Sequence, residues 1–185
     1  MSKIYIARHG QTEANAKHLI ISRTDIPLNK VGLAQAQGLV EELSPVKLDA
    51  VFSSNLKRAY KTAQLVAQAQ NIPHIVDERI FERDYGILEH QSYNNPDIIE
   101  TITKFYDSND ELPIENAEPL GVVIKRINAF LDEITKKYRG KNILIISHAG
   151  VMGFFKHYFE PIEDGNLFVW VKNCEVWEFK NNRAE

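Results

Sequence analysis

The feature that most constrains the fold is the run Ile-Leu-Ile-Ile-Ser at residues 143–147. A short, almost wholly apolar run reads as a strand buried on both faces, and such strands occupy the centres of parallel sheets. A second apolar run, around Ile4, Tyr5 and Ile6, stops at Arg8, His9 and Gly10. Residues 49–53 read as another strand, and residues 74–77, after Pro73, as a short one. Residues 175–179 alternate in polarity, the pattern of an edge strand.

Amphipathic segments separate these runs. From Lys30 onward, Val31, Ala34, Leu39, Val40 and Leu43 fall roughly on one helical face, and Pro45 follows the stop. Leu56, Ala59, Tyr60, Ala63, Val66 and Ala67 form a second stripe, with Ser54 or Asn55 as the expected cap. The clearest period belongs to Leu120, Val123, Ile124, Ile127, Phe130, Leu131 and Ile134, ending near Gly140 with basic residues in the last turn. A further helix is expected from about Val151. Strands alternating with helices predict an α/β fold: a three-layer αβα sandwich whose mostly parallel sheet has an antiparallel edge strand and helices on both faces.

A length of 185 residues suits one domain, taken as residues 1–185. Residues 91–119 are rich in Asn, Asp, Glu and Pro and read as a lid-like excursion. Within it, Ile98, Ile102 and Phe105 are expected to cover the core, or else to wall an apolar substrate pocket. Trp170 and Trp177 are read as packing residues near the last strand. The formal net charge of −3 argues against a nucleic-acid partner. No run approaches the roughly 18 apolar residues of a membrane span, so no membrane partner is expected. The first apolar run is too short for a signal peptide. Cys174 is the only cysteine, which fits a reducing compartment, and the expected location is the cytoplasm. Oligomeric state stays open between monomer and homodimer.

In open α/β sheets, ligands bind beyond the carboxyl ends of the strands. Arg8, His9 and Gly10 follow the first strand there. Ser53 and Ser54 follow the second, with Arg58 in the next helix, and Glu82 lies shortly after the third. His148, Ala149 and Gly150 follow the apolar run at 143–147. Taken singly, such a histidine is usually structural, such an arginine solvated and such a glutamate a surface charge. Together at one sheet edge they suit phosphoryl transfer. Arg8 and Arg58 offer forked donors that match phosphate geometry. His148, if protonated, adds another, and Gly10 would let the backbone approach the phosphate. His9 would attack as a neutral imidazole, its pKa lowered by the two arginines. Glu82 would begin protonated, give its proton to the leaving oxygen, and then act as base on water.

Competing chemistries lack their groups. Cys174 has no arginine five residues on, and no Asp-x-Asp pair, glycine-rich nucleotide loop or Gly-x-Ser-x-Gly elbow occurs. His9, His148 and His157 do not show metal-ligand spacing, so neither a metal nor another cofactor is expected. A non-catalytic module that docks phosphorylated partners is a further alternative, although it would need neither Glu82 nor an unblocked His9.

Residues 8–15, Arg-His-Gly-Gln-Thr-Glu-Ala-Asn, resemble the signature of the histidine phosphatase superfamily, which includes the cofactor-dependent phosphoglycerate mutases. Ser53 to Ala59 with Thr62 and Ala63 resembles its second motif, Ile80-Phe81-Glu82 with Gly86 and Glu89 its acid-bearing segment, and Ser147 to Gly150 its second-histidine motif. Asn173-Cys174 is similar to a late family segment. The resemblance implies that His9 is phosphorylated, that Arg8, Arg58 and His148 hold the phosphate, and that Glu82 is the proton donor. It implies that Gln11, Thr12 and Asn15 line the pocket, with Ala149 standing where the family usually has glycine. No metal is implied.

Within the family, Glu82-Arg83-Asp84-Tyr85-Gly86 is somewhat like the mutase form. The 91–119 excursion, however, lacks the paired arginines that mutases place there; Lys104 is its basic residue amid Asp97, Glu100, Asp107, Asp110, Glu111, Glu115 and Glu118. An acidic lid suits a doubly anionic substrate poorly. The expected function is a phosphomonoesterase acting on a small phosphorylated metabolite, with phosphoglycerate mutase as the alternative.

Overall fold

The computed structural model describes residues 3–107, 114–161 and 167–180. Residues 108–113 of the 91–119 excursion, Asp110 and Glu111 included, therefore lie outside the described residues. The described strands are β1 (Lys3–Arg8), β2 (Ala50–Ser53), β3 (His74–Val76), β4 (Ile143–Ser147) and β5 (Val176–Lys180). They form one sheet in the order β3-β2-β4-β1-β5. The pairs β1–β4, β2–β4 and β2–β3 are parallel, and β5 runs antiparallel to β1 at the edge.

The apolar run of β4 is central because its side chains are needed on both faces. Ile143 and Ile145 join Ile4, Ile6 and Phe52 in one core. That core is covered by Val123, Ile127, Phe130 and Leu131 of α5 (Leu120–Lys137) and by residues of α6 (Ala149–Phe159). Leu144 and Ile146 point the other way, with Tyr5, Ala7 and Val51. There they meet Leu39 of α2 (Lys30–Glu42) and Ala59, Ala63 and Val66 of α3 (Lys57–Gln70). Each such fully buried aliphatic or aromatic side chain contributes about 1.5–3 kcal/mol. The architecture is thus the three-layer α/β sandwich expected from the alternation.

Local differences have local causes. Neither Ser54 nor Asn55 caps α3: its N-cap is Leu56 without a side-chain bond, and the Ser54 hydroxyl instead meets His148. A four-residue helix, α1 (Glu13–Ala16), follows the first motif, capped by Thr12 in a reciprocal pair with Asn15. The 91–119 stretch contains α4 (Pro96–Asp107), which buries Ile102, Phe105 and Tyr106. Trp177 packs on β5, but Trp170 does not behave as a packing residue: it is 67% exposed. Among the described residues, no helix is long and apolar enough to cross a membrane.

Candidate active site

Strand register assembles the site. Arg8 on β1 is level with Ser147 on β4, so His9 and His148 emerge side by side from adjacent parallel strands. The His9 amide donates to the Ser147 carbonyl at 3.0 Å, and the two imidazole centroids lie 5.2 Å apart. On the other flank of β4, β2 ends at Ser53; the next hydroxyl, Ser54, is 2.8 Å from His148 Nε2. The first turn of α3 then delivers Arg58, which is fully buried.

Glu82 arrives on a loop beyond β3 that is fastened twice. The Ser147 hydroxyl donates to the Ile80 carbonyl at 2.8 Å. Arg126 of α5 donates to the carbonyls of Arg79 and Phe81 at 2.7 and 2.9 Å while pairing with the Glu118 carboxylate at 2.7 Å. The Glu82 carboxylate then accepts the backbone N–H groups of Arg83 at 2.8 Å and Gly150 at 3.2 Å. Gly150 is required at this spot: a Cβ there would collide with Glu82 Oε1 and Tyr85 Oη.

These groups surround a cavity of about 110 Å³. Arg8, His9, Arg58 and Glu82 form its charged floor, flanked by Thr12, Asn15, Ala149 and Gly150. Its walls come from Leu19, Ile20 and Ile21 after α1, Tyr85 and Tyr93, Ile99 and Ile102 on α4, and Phe168 to Val171 before β5. Among the described residues, no group of three or more His, Cys, Asp or Glu side chains is placed to hold a metal ion.

The electrostatics are those of a waiting anion site. His9 Nδ1 donates to the Gly10 carbonyl at 2.6 Å, which fixes the proton on Nδ1 and leaves Nε2 as the ring nitrogen with a lone pair. Burial, then Arg58 and Arg8, holds the His9 pKa well below its ordinary value, so the ring is neutral. Burial likewise pushes the Glu82 pKa up, against the downward pull of its two backbone donors and the arginines. Burial, Arg58 and His9 hold the His148 pKa well down, so its ring is neutral in the free protein and the condition that it be protonated is not met there. Its Nε2 shares a hydrogen bond with the Ser54 hydroxyl, and its Nδ1 is buried with no partner. Arg8 Nε is also buried and unpartnered, although Arg8 Nη1 donates to the Val171 carbonyl at 2.8 Å. Arg58 is held by the carbonyls of Thr24 and Ser22 at 2.9 and 2.8 Å. Among the described residues, neither guanidinium has a carboxylate partner within ion-pair distance. Buried polar atoms without partners are costly, and an anion in the cavity could pair with the lining Arg8.

Comparison with known proteins agrees with this chemistry. Residues 4–184 match the profile of the histidine phosphatase superfamily, branch 1. The chain belongs to that superfamily. "Phosphoserine phosphatase 1" of Hydrogenobacter thermophilus is 31% identical over 153 residues, covering 80% of this chain and 71% of the relative. "Phosphoglycerate mutase-like protein 4" of Arabidopsis thaliana is 32% identical over 156 residues, covering 82% and 68%. A solved phosphoserine phosphatase from Entamoeba histolytica, in complex with phosphoserine, superposes with a TM-score of 0.82 at 26% identity, covering 97% of this chain and 91% of that one.

In this histidine phosphatase the structure brings Arg8, His9, Thr12, Asn15, Arg58, Glu82 and Ala149 to one cavity, with His148 against His9. Gly10 and Gln11 are not among its lining residues. Gly10 faces Gly32, whose carbonyl a Cβ would strike, so its smallness serves packing between the first motif and α2. Gln11 is drawn aside by Gln35 and Asn29 at 2.8 and 3.0 Å. Sequence reasoning did not reach Arg126 or the role of the Ser147 hydroxyl, and it gave Asn173 no contact. Asn173 Nδ2 donates to the His9 carbonyl at 2.9 Å, tying the segment before β5 to the first motif. His90 lies 3.4 Å from the Thr24 hydroxyl and does not line the cavity.

Proposed function

We propose that this histidine phosphatase is a phosphomonoesterase that acts on a small phosphorylated metabolite through a phosphohistidine at His9. The observation that carries the reading is a neutral His9 buried beside two guanidiniums that lack carboxylate partners among the described residues. The His9 Nε2 lone pair attacks phosphorus and the ester P–O bond breaks. The departing alkoxide takes the proton of Glu82, a carboxyl that burial pushes towards its protonated form. Arg8, Arg58 and the His148 N–H stabilise the charge spread over the three equatorial oxygens. Glu82, now a carboxylate, removes a proton from water; the hydroxyl oxygen attacks phosphorus, the P–N bond breaks, and inorganic phosphate leaves.

Hydrolysis is favoured over phosphoryl retention because Lys104, the basic residue of the 91–119 stretch, pairs with Glu100 on the exposed side of α4. Phosphoserine, named for the Hydrogenobacter and Entamoeba relatives, belongs among the substrates to be assayed. The working location is the cytoplasm, in keeping with a lone, half-buried Cys174. The test is hydrolysis of p-nitrophenyl phosphate in excess EDTA, run beside conversion of 3-phosphoglycerate primed with the bisphosphate. A phosphomonoesterase hydrolyses the first undiminished and does little with the second. Loss of activity in EDTA, or isomerisation without hydrolysis, contradicts the proposal.

A further inference from the structure

We infer that the alcohol half of the substrate is uncharged and apolar, a small aryl or branched alkyl group; this rests on the phosphomonoesterase reading above. Among the described residues, the ionisable groups of the cavity are confined to its floor. Above Arg8, His9, Arg58 and Glu82, the described lining residues include no Lys, Arg, Asp, Glu or His. The hydroxyls of Thr12, Tyr85 and Tyr93 and the side-chain oxygen of Asn15 are already engaged. Asn15 Oδ1 accepts from the Thr12 amide and hydroxyl at 3.1 and 3.0 Å, and the Tyr93 hydroxyl donates to the Asn15 carbonyl at 3.3 Å. Lys104 pairs with Glu100, and Arg23 lies 3.6 Å from both Asp84 and Glu118.

A substrate carboxylate or ammonium entering above the phosphate would lose water against Leu19, Ile21, Ile99 and Ile102 and meet no oppositely charged side chain among the described wall residues. That exchange is unfavourable, whereas an apolar group gains from it. The mouth points the same way. Trp170 exposes 67% of its surface, edge-on to Phe168 at 5.3 Å and Tyr93 at 6.1 Å. A substrate ring laid against this aromatic cluster would cover surface now facing water.

The experiment compares kcat/KM for esters of primary alcohols, whose leaving groups are similar: benzyl phosphate, isobutyl phosphate, glycerol 3-phosphate, O-phosphoserine and 3-phosphoglycerate. Benzyl or isobutyl phosphate is expected to exceed each of the other three by at least roughly 10-fold. Trp170→Ala should lower the benzyl-to-glycerol ratio, and Ile99→Arg should move the preference towards 3-phosphoglycerate. A preference for O-phosphoserine or 3-phosphoglycerate in the unmodified protein overturns the inference and leaves the phosphomonoesterase standing. Equal rates on all five, with ratios unmoved in both variants, also overturn it. Failure to hydrolyse any of them or p-nitrophenyl phosphate removes both readings together.

Discussion

At His9, one hydrogen bond decides which nitrogen reacts, and burial beside Arg58 and Arg8 decides that it is unprotonated. His9→Ala should therefore reduce kcat by at least about 1,000-fold, because the covalent route is lost, not merely weakened. Glu82→Gln should slow alkyl esters by about 100-fold or more while slowing the phosphorylation step with p-nitrophenyl phosphate far less, since a good leaving group needs no proton. Equal losses in rapid-mixing bursts of the two ester types would count against the acid role. The raised Glu82 pKa sets the sign of the pH effect: phosphorylation by alkyl esters should fall as pH climbs through it, and Glu82→Gln should abolish that limb. His9, Arg8, Arg58, His148 and Glu82 were legible because each lies shortly after a strand whose apolar run can be read directly. Ser54, Ser147 and Arg126 were not assigned these roles because they act through a single hydroxyl or a set of backbone carbonyls. Nothing in the spacing of Arg126 distinguishes it from a solvated charge on a helix face. The packing of Gly10 was not legible for a related reason: its partner, Gly32, lies on a different element, α2.

The elements act as carriers whose ends are tied together. Parallel pairing of β1 with β4 sets the two histidines side by side, and α5 reaches over through Arg126 to fix the loop bearing Glu82. Arg126→Ala should cost about 3 kcal/mol, because it leaves the mostly buried Glu118 without its strongest partner. It should also lower kcat on alkyl esters more than it raises KM. Urea unfolding and steady-state kinetics measure the two effects separately; an unchanged kcat would show that the clamp serves stability alone. Helix periods and apolar strands were readable because burial repeats along them. The cavity wall was only partly so. Ile102 sits on the stripe expected for α4, whereas Ile99 and Trp170 belong to the site through tertiary placement that no local pattern records. Trp170 was expected in packing because exposed tryptophan is uncommon, and its exposure is what ties it to the cavity mouth.

The whole molecule bears a cost for burying two neutral histidines and two guanidiniums around one pocket. Between the depressed folded pKa of His9 and His148 and their unfolded value of about 6.5, the unfolded chain binds more protons than the folded one. For each histidine, stability is then complete above that value and falls as pH drops through the window, by up to about 1.4 kcal/mol per pH unit, and Glu82 with its raised pKa offsets part of this slope. Urea midpoints in phosphate-free buffer should fall between pH 7 and pH 5, and His148→Gln should show a shallower decline; a flat profile would contradict neutral burial. Phosphate or vanadate should raise the midpoint, since it binds the folded pocket. Every feature of the pocket converges on one covalent event, and rapid-quench labelling with a ³²P-phosphomonoester reads it directly. Trapped label should be acid-labile, alkali-stable, located at His9 and absent from His9→Ala. Steady hydrolysis of the same ester with no label at His9 at any time would contradict the mechanism.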